Sequence, residues 1–140
     1  MRITRLPAVL GCFVMAACAT TSRLKVGETP GGEVIEVTGE AMIEPSNMDG
    51  SKRRSLAEAQ KKAVEEVVGV HVSAKTLVDK AITIQQNILA KTEGYIQKYD
   101  VLKTWEDAPY YKTTIRALVL YQKLSDDLKA AGLLSRPSQP

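Results

Sequence analysis

The sequence of 140 residues holds only two cysteines and one histidine, and this scarcity limits the chemistry that it can carry out. A hydrolase that uses a histidine base would have to rely on His71, and no G-x-S-x-G motif accompanies it. Because Cys12 and Cys18 both fall near the start, the rest of the chain has no thiol for a disulfide, a redox centre or a metal site. The sequence therefore predicts no catalytic residue, no metal ligand and no cofactor.

Long apolar runs are also missing, which argues against a transmembrane anchor. The longest run, Ala8 to Ala17, has ten residues, and as a helix it would span ~15 Å, about half of a bilayer core. It follows Arg2 and Arg5 and ends in small residues, which is the layout of a secretory signal peptide. We therefore predict that residues 1–17 form a signal peptide.

The end of that run explains the position of the second cysteine. The residues Val14-Met15-Ala16-Ala17-Cys18 resemble the bacterial lipobox, with methionine in place of the commoner leucine. The resemblance implies that Cys18 carries a diacylglycerol thioether and an acylated N-terminus, which together anchor a protein essentially permanently. Since Ala19 follows the cysteine, we expect a location on the periplasmic face of an outer membrane. Plain secretion with a chance cysteine is the alternative.

The charge of the chain gives little support to a nucleic-acid partner. Removal of the signal peptide takes away Arg2 and Arg5, which lowers the formal net charge from +3 to +1. A protein that binds nucleic acid through its phosphates needs a clear excess of cations. We therefore expect a membrane partner, reached through the lipid anchor, and no nucleic acid.

The mature chain divides into a tether, one domain and a tail. Residues 19–32 are rich in Thr, Gly and Pro and lack apolar periodicity, so we predict a lipidated cysteine and flexible tether over 18–32. About 100 residues follow, which is enough for one hydrophobic core. We predict a single domain over 33–134 and a disordered tail over 135–140.

Apolar periodicity predicts the first elements of the domain. The stretch "EVIEVTGEAMI", which begins at Glu33, alternates as a half-buried strand does. Helical spacing follows, with Ser51 or Ser55 as the N-cap and Gly69 at the end. The residues over 70–78 fit either a short strand or an extended connector.

The second half of the domain predicts a helix and a hairpin. The helix contains Ile84 and Ile88 and ends at Gly94, and the segments "YIQKYDVLKTW" and "YYKTTIRALVLY" flank a turn at "EDAP". The stretch "LSDDLKAAGLL" predicts a short closing helix. The order of elements predicts an α+β fold, in which an antiparallel sheet of three to four strands carries two main helices on one face and a short C-terminal helix.

A set of core and turn positions over residues 33–122 carries a family resemblance. At these positions the chain resembles the N-terminal domain of flagellar assembly protein T and related small outer-membrane lipoproteins. The positions are Ala59, Ala63, Val64 and Val67 with Gly69-Val70, then Gly94-Tyr95-Ile96, Tyr99-Asp100-Val101 and the strand from Tyr111 to Val119.

The resemblance implies a non-catalytic envelope protein, which in some relatives is a component of rings around the flagellar rod. The chain differs from flagellar assembly protein T in having one domain and a lipobox, as the small lipoprotein relatives do. The expected partners are envelope or flagellar proteins. An open sheet edge also predicts homo-oligomers, because unpaired strands can associate laterally.

A cationic cluster is one candidate for a binding site. Lys52, Arg53 and Arg54 lie in or just before the predicted first helical turn, where the helix dipole disfavours positive charge. Cations in such a place favour an anionic ligand, such as a lipid head group or a glycan. A solvated loop is the alternative.

An aromatic cluster is the other candidate. Trp105, Tyr110 and Tyr111 flank the predicted hairpin turn. Exposed aromatic side chains commonly anchor protein contacts, so we predict a protein-contact surface there. Packing over the edge of the sheet is the alternative.

Overall fold

The computed structural model describes residues 24–134 and confirms the predicted α+β fold. The signal peptide over 1–17, Cys18 and the tail over 135–140 lie outside the described residues. In the described part, no helix is both long and apolar enough to cross a membrane. The elements are β1 (Gly27–Thr29), β2 (Gly32–Met42), α1 (Met48–His71), α2 (Ala74–Asp79), α3 (Ala81–Asn87), a 3-10 helix (Leu89–Gly94), β3 (Ile96–Asp107), β4 (Tyr110–Leu120) and α4 (Tyr121–Ala130).

Four antiparallel strands form the sheet in the order β1-β2-β4-β3. In the central pair, Ile35 lies opposite Ala117 and Val37 lies opposite Ile115. Directly opposite residues point to the same face of a sheet, and these four belong to the core that α1 covers. We call this side the helix face. The other side, which carries alternate residues such as Glu36, is called the open face.

The core lies between the helix face and the helices. It combines side chains from β2 and β4 with those from α1, α3 and α4 and from the segments that join them. Its fully buried aliphatic members include Val64, Val67, Ile88, Ile115, Val119, Leu124 and Leu128. Burial of such side chains stabilises the fold by about 1.5–3 kcal/mol each, so a single layer of helices on one sheet face holds the domain together.

Helix α1 and the sheet approach each other closely at Gly39 in the middle of β2. A Cβ atom at this position would meet backbone atoms of Ser55 and Ala59 in α1. Beside this contact, the hydroxyls of Ser55 and Thr113 share a hydrogen bond of 2.7 Å. Small side chains on both elements therefore set the distance between helix and sheet.

The second half of the predicted tether forms part of the sheet in the structure. Residues 27–29 form β1, and β2 already begins at Gly32. A two-residue turn at Pro30-Gly31 joins the two strands, with Gly31 at a φ of 88°. A type II turn requires a positive φ at its second central residue and commonly has proline at the first, which this dipeptide matches. Described residues that precede position 33 therefore belong to the folded domain and not to a tether.

Helix α1 begins earlier than predicted. Its N-cap is Asn47, whose side-chain oxygen accepts a hydrogen bond from the Gly50 N–H at 3.0 Å. The two serines predicted as caps lie inside the helix and are buried. The Ser51 hydroxyl accepts from the Glu44 N–H at 2.8 Å, so it stabilises the loop that precedes the helix.

The end of α1 also differs from the prediction. The helix continues past Gly69 to His71, and α2 follows almost at once. Ser73 caps α2 by accepting from the Thr76 N–H at 3.2 Å. Residues 70–78 are therefore mostly helical, and neither predicted alternative is right, because a capping serine outweighs the weak alternation of valines.

Tyr95 is fully buried, and its hydroxyl donates to Asp127 Oδ2 at 2.6 Å. Burial, followed by the hydrogen bond to this carboxylate, raises the pKa of Tyr95 well above its ordinary value of about 10. The fold therefore favours the neutral phenol, whose contribution to stability is present below about pH 10 and is lost as the pH rises further. We expect Tyr95→Phe to lower the free energy of unfolding by about 1–2 kcal/mol near pH 7. It should also reduce the loss of stability above about pH 10.

Urea unfolding followed at neutral and at alkaline pH measures both effects. Tyr99→Phe is the control, because the Tyr99 side chain is 40% exposed, and it should leave both quantities unchanged. An alkaline loss of stability that is as steep in Tyr95→Phe as in the original chain contradicts the role of the buried phenol.

Candidate interaction surfaces

The described part of the chain begins with a residue docked onto the open face. Leu24 is 7% exposed, and its N–H donates to Asp100 Oδ2 on β3 at 3.1 Å. Arg116 on β4 donates from Nη1 to the Leu24 carbonyl at 3.3 Å and from Nε to Glu36 on β2 at 2.9 Å. Asp100, Arg116 and Glu36 form one row across three strands. Asp100 and Arg116 of this row hold the Leu24 backbone on the sheet.

Sequence reasoning missed this docking site. Leu24 is separated from Asp100 by 76 positions and from Arg116 by 92, so no local pattern connects them. The signals that were available are an apolar residue in a polar stretch and the Pro30-Gly31 dipeptide, which marks a turn. Together they favour a short hairpin that folds back on the sheet.

On β2 and β4, the open face carries charges that are paired within the sheet. Lys112 on β4 lies 2.7 Å from Asp107 and 3.8 Å from Glu40. The hydrogen bond to Asp107 raises the pKa of Lys112, and it outweighs the opposing effect of burial. Between the two ionic rows, the hydroxyls of Thr38 and Thr114 share a hydrogen bond of 2.7 Å. The polar side chains in the middle of this face therefore already have partners within the chain.

β3 is an edge strand whose helix face is left uncovered. Helix α1 packs on β2 and β4, and a helix about 10 Å wide covers two strands spaced about 4.8 Å apart. Tyr99 and Val101 point to the helix face, opposite Ala117 and Ile115 of β4. They remain 40% and 49% exposed. The edge of β3 therefore combines unpaired backbone groups with an apolar strip.

The structure divides the predicted aromatic cluster between the two faces. Trp105 lies opposite Lys112, and Tyr110 pairs with Asp107, so both are on the open face at the hairpin end. Trp105 is half-buried, with Lys103 Nζ 4.5 Å from its ring centroid. Tyr111 points to the helix face and is 8% exposed. Only Trp105 and Tyr110 are placed to form one contact surface, because neighbouring strand residues point to opposite faces.

The structure does not bring the predicted cationic cluster together. Because α1 begins earlier than predicted, residues 52–54 lie in its second turn, where the dipole has little effect. Arg54 pairs with Glu44 at 3.1 Å, and Lys52 Nζ lies 6.0 Å from the ring centroid of Tyr111. Successive residues of a helix point about 100° apart. The three cations therefore spread around α1 rather than converging on one ligand.

The single histidine packs against an aromatic side chain. The ring centroids of His71 and Tyr121 are 4.4 Å apart, with the rings tilted by 42°. Within residues 24–134, no group of three His, Cys, Asp or Glu side chains is placed to hold a metal ion. The contact with Tyr121 gives His71 a packing role at the junction of α1 and α4.

Comparisons with protein-family models, with curated proteins and with solved structures found no match. Inference about function therefore depends on three surfaces of the described residues: the docking site of Leu24, the open edge of β3 and the exposed hairpin end.

Proposed function

We propose that the chain is a non-catalytic lipoprotein, anchored through Cys18 on the periplasmic face of an outer membrane, and that it works as a scaffold or ring component in envelope or flagellar assembly. The lipobox-like sequence supports the anchor. The uncovered edge of β3 and the exposed aromatic hairpin end support a scaffold. The alternative, a binding module for an anionic envelope ligand, has less support because the cations over 52–54 do not converge.

The docking of Leu24 is the observation that carries this proposal. Only six positions separate Cys18 from Leu24, and a fully extended chain of that length spans ~20 Å at most. The hydrogen bonds from Leu24 to Asp100 and from Arg116 to Leu24 hold the near end of this segment on the sheet. A lipid on Cys18 would therefore keep the domain close to the bilayer, where copies meet mainly by movement within the membrane.

The surface chemistry favours protein partners over a substrate. The open face is a plane of paired charges and hydroxyls between Leu24 and the hairpin end. Trp105 and Tyr110 flank that end, and aromatic side chains of this kind are enriched where proteins contact one another. A flat surface with an aromatic rim and an open strand edge suits assembly.

Sedimentation of the full-length protein extracted from membranes in mild detergent tests the scaffold. We expect oligomers, and we expect the same oligomers when Lys52, Arg53 and Arg54 are all replaced by Ser. Two results together contradict the proposal. The original chain is a monomer that binds anionic lipid vesicles in a salt-sensitive way, and the triple variant no longer binds them. These results would support the ligand-binding alternative.

A further inference from the structure

The strand edges carry complementary charge patterns with matching spacing. On β2, Glu36 and Glu40 lie opposite Arg116 and Lys112 of β4, so they are four rows apart on the open face. On β3, Lys98 and Lys103 lie opposite Leu118 and Thr114 of β4. These two lysines are five residues apart in sequence. Their partners on β4 are only four residues apart, which is the same spacing as for the two glutamates.

A bulge produces this match. The register of β3 shifts between Val101 and Lys103, where the strand uses one extra residue. Without that residue, Lys98 and Lys103 would point to opposite faces, because side chains alternate along a strand. The bulge therefore places both ammonium groups on the face that carries Glu36 and Glu40.

The edge of β2 is open over the stretch that carries these carboxylates. β1 pairs with β2 only from Gly32 to Val34, and the chain before β1 turns onto the open face at Leu24. At one position the edge is satisfied within the chain, since Lys62 Nζ donates to the Thr38 carbonyl at 3.1 Å. An incoming strand would displace this half-buried side chain and supply a backbone N–H to the same carbonyl.

We propose that β3 of one copy pairs in parallel with the open edge of β2 in the next copy, so that the sheets continue from molecule to molecule. In this register Lys98 faces Glu36 and Lys103 faces Glu40. Each carboxylate already contacts a cation of its own chain through Oε2, Arg116 for Glu36 and Lys112 for Glu40, so it would bridge two cations. This inference rests on the proposed scaffold function and names the surface through which the scaffold assembles. Two different edges meet, so the contact is heterologous and repeats into a ring or a filament.

The same register covers the apolar side chains that the single molecule leaves exposed. It places Trp105 opposite Met42, which is 62% exposed at the end of β2. It also places the β2 strand of the next copy, which that copy's α1 covers, about 4.8 Å from β3. The neighbouring α1 then lies beside Tyr99 and Val101 on the helix face. The second copy thus supplies the helix layer that β3 lacks.

A pair of cysteine substitutions tests the register in the full-length, membrane-bound protein. In the proposed register Thr104 faces Ala41 on the helix face. The double variant Ala41→Cys/Thr104→Cys keeps Trp105 and Tyr110, and its oxidation should give a ladder of covalent dimers, trimers and larger species on a non-reducing gel. Each single variant should remain monomeric, and co-expression of the two single variants should stop at the dimer. A twofold contact between β3 strands does not produce this pattern.

Charge reversal provides a second test that needs no disulfide. Lys98→Glu/Lys103→Glu places like charges opposite each other and should raise the dissociation constant for self-association about tenfold. Lys80→Glu/Lys91→Glu makes the same change in net charge at exposed positions outside the sheet and should leave self-association unchanged. Equal self-association of the Lys98→Glu/Lys103→Glu variant and the original chain overturns the proposed register.

An amine crosslinker separates failure of the register from failure of the scaffold. Oligomers captured by the crosslinker, without a cysteine ladder, show that the register is wrong while the scaffold stands. Monomers in both experiments contradict the register and the scaffold together.

Discussion

Gly39→Val is expected to cost about 3 kcal/mol or more of unfolding free energy, because overpacking against backbone has no rotamer that relieves it. A Cβ at this position would lie 2.7 Å from Ala59 Cα and would also overlap backbone atoms of Ser55. The helix would have to move away from the sheet along β2. That movement would open the core on both sides of the contact. Urea unfolding followed by circular dichroism measures the loss.

Gly69 provides a matched control with the opposite sign. It lies inside α1, and a Cβ there has nothing within 4 Å. Gly69→Ala should therefore raise the unfolding free energy by about 0.5–1 kcal/mol, since alanine loses less conformational freedom in a helix. If Gly39→Val unfolds at the same urea concentration as the original chain, then α1 does not contact the backbone of β2 at Gly39.

Cys18→Ser is expected to move the protein from the membrane fraction to the soluble fraction of the envelope. Each buried CH₂ of an acyl chain contributes about 0.8 kcal/mol to membrane binding, so loss of two or more chains removes the anchor entirely. Cell fractionation, together with incorporation of labelled palmitate, measures the change. We expect both the membrane fraction and the label to fall to background.

Cys12 is the internal control for this substitution. It lies within the predicted signal peptide, so Cys12→Ser should leave the membrane location and the palmitate label unchanged. Label that survives in Cys18→Ser would falsify lipidation at this cysteine. Loss of label in Cys12→Ser as well would indicate that the substitutions disturb export rather than anchoring.

Strong periodicity made the central sheet predictable from sequence. β2 and β4 alternate over eleven residues each, so the pattern determines which of their residues face the core. β3 was predicted from its aromatic and β-branched residues, which indicate a strand but not its register. β1 has three residues and no usable period. Its position depends on the Pro30-Gly31 turn and on the burial of Leu24, which requires partners on two distant strands.

The start of α1 was not predictable for a related reason. Ser51 and Ser55 look like N-caps in sequence, because serines commonly hold that position. In the fold, Ser55 instead bonds Thr113 on β4, 58 positions away, and Asn47 supplies the cap. This shift also removes the argument for an anionic ligand at residues 52–54. The surfaces that support assembly depend on strand order and on a bulge, which no local pattern indicates.

Crosslinking in intact cells, followed by identification of the covalent neighbours, tests the proposed scaffold most directly. We expect the tagged, lipidated protein to capture other copies of itself together with envelope or flagellar assembly components. These neighbours should be lost when Trp105 and Tyr110 are both replaced by Ala. Capture of only abundant bulk envelope proteins, equally in the original chain and in the double variant, would contradict a scaffold role.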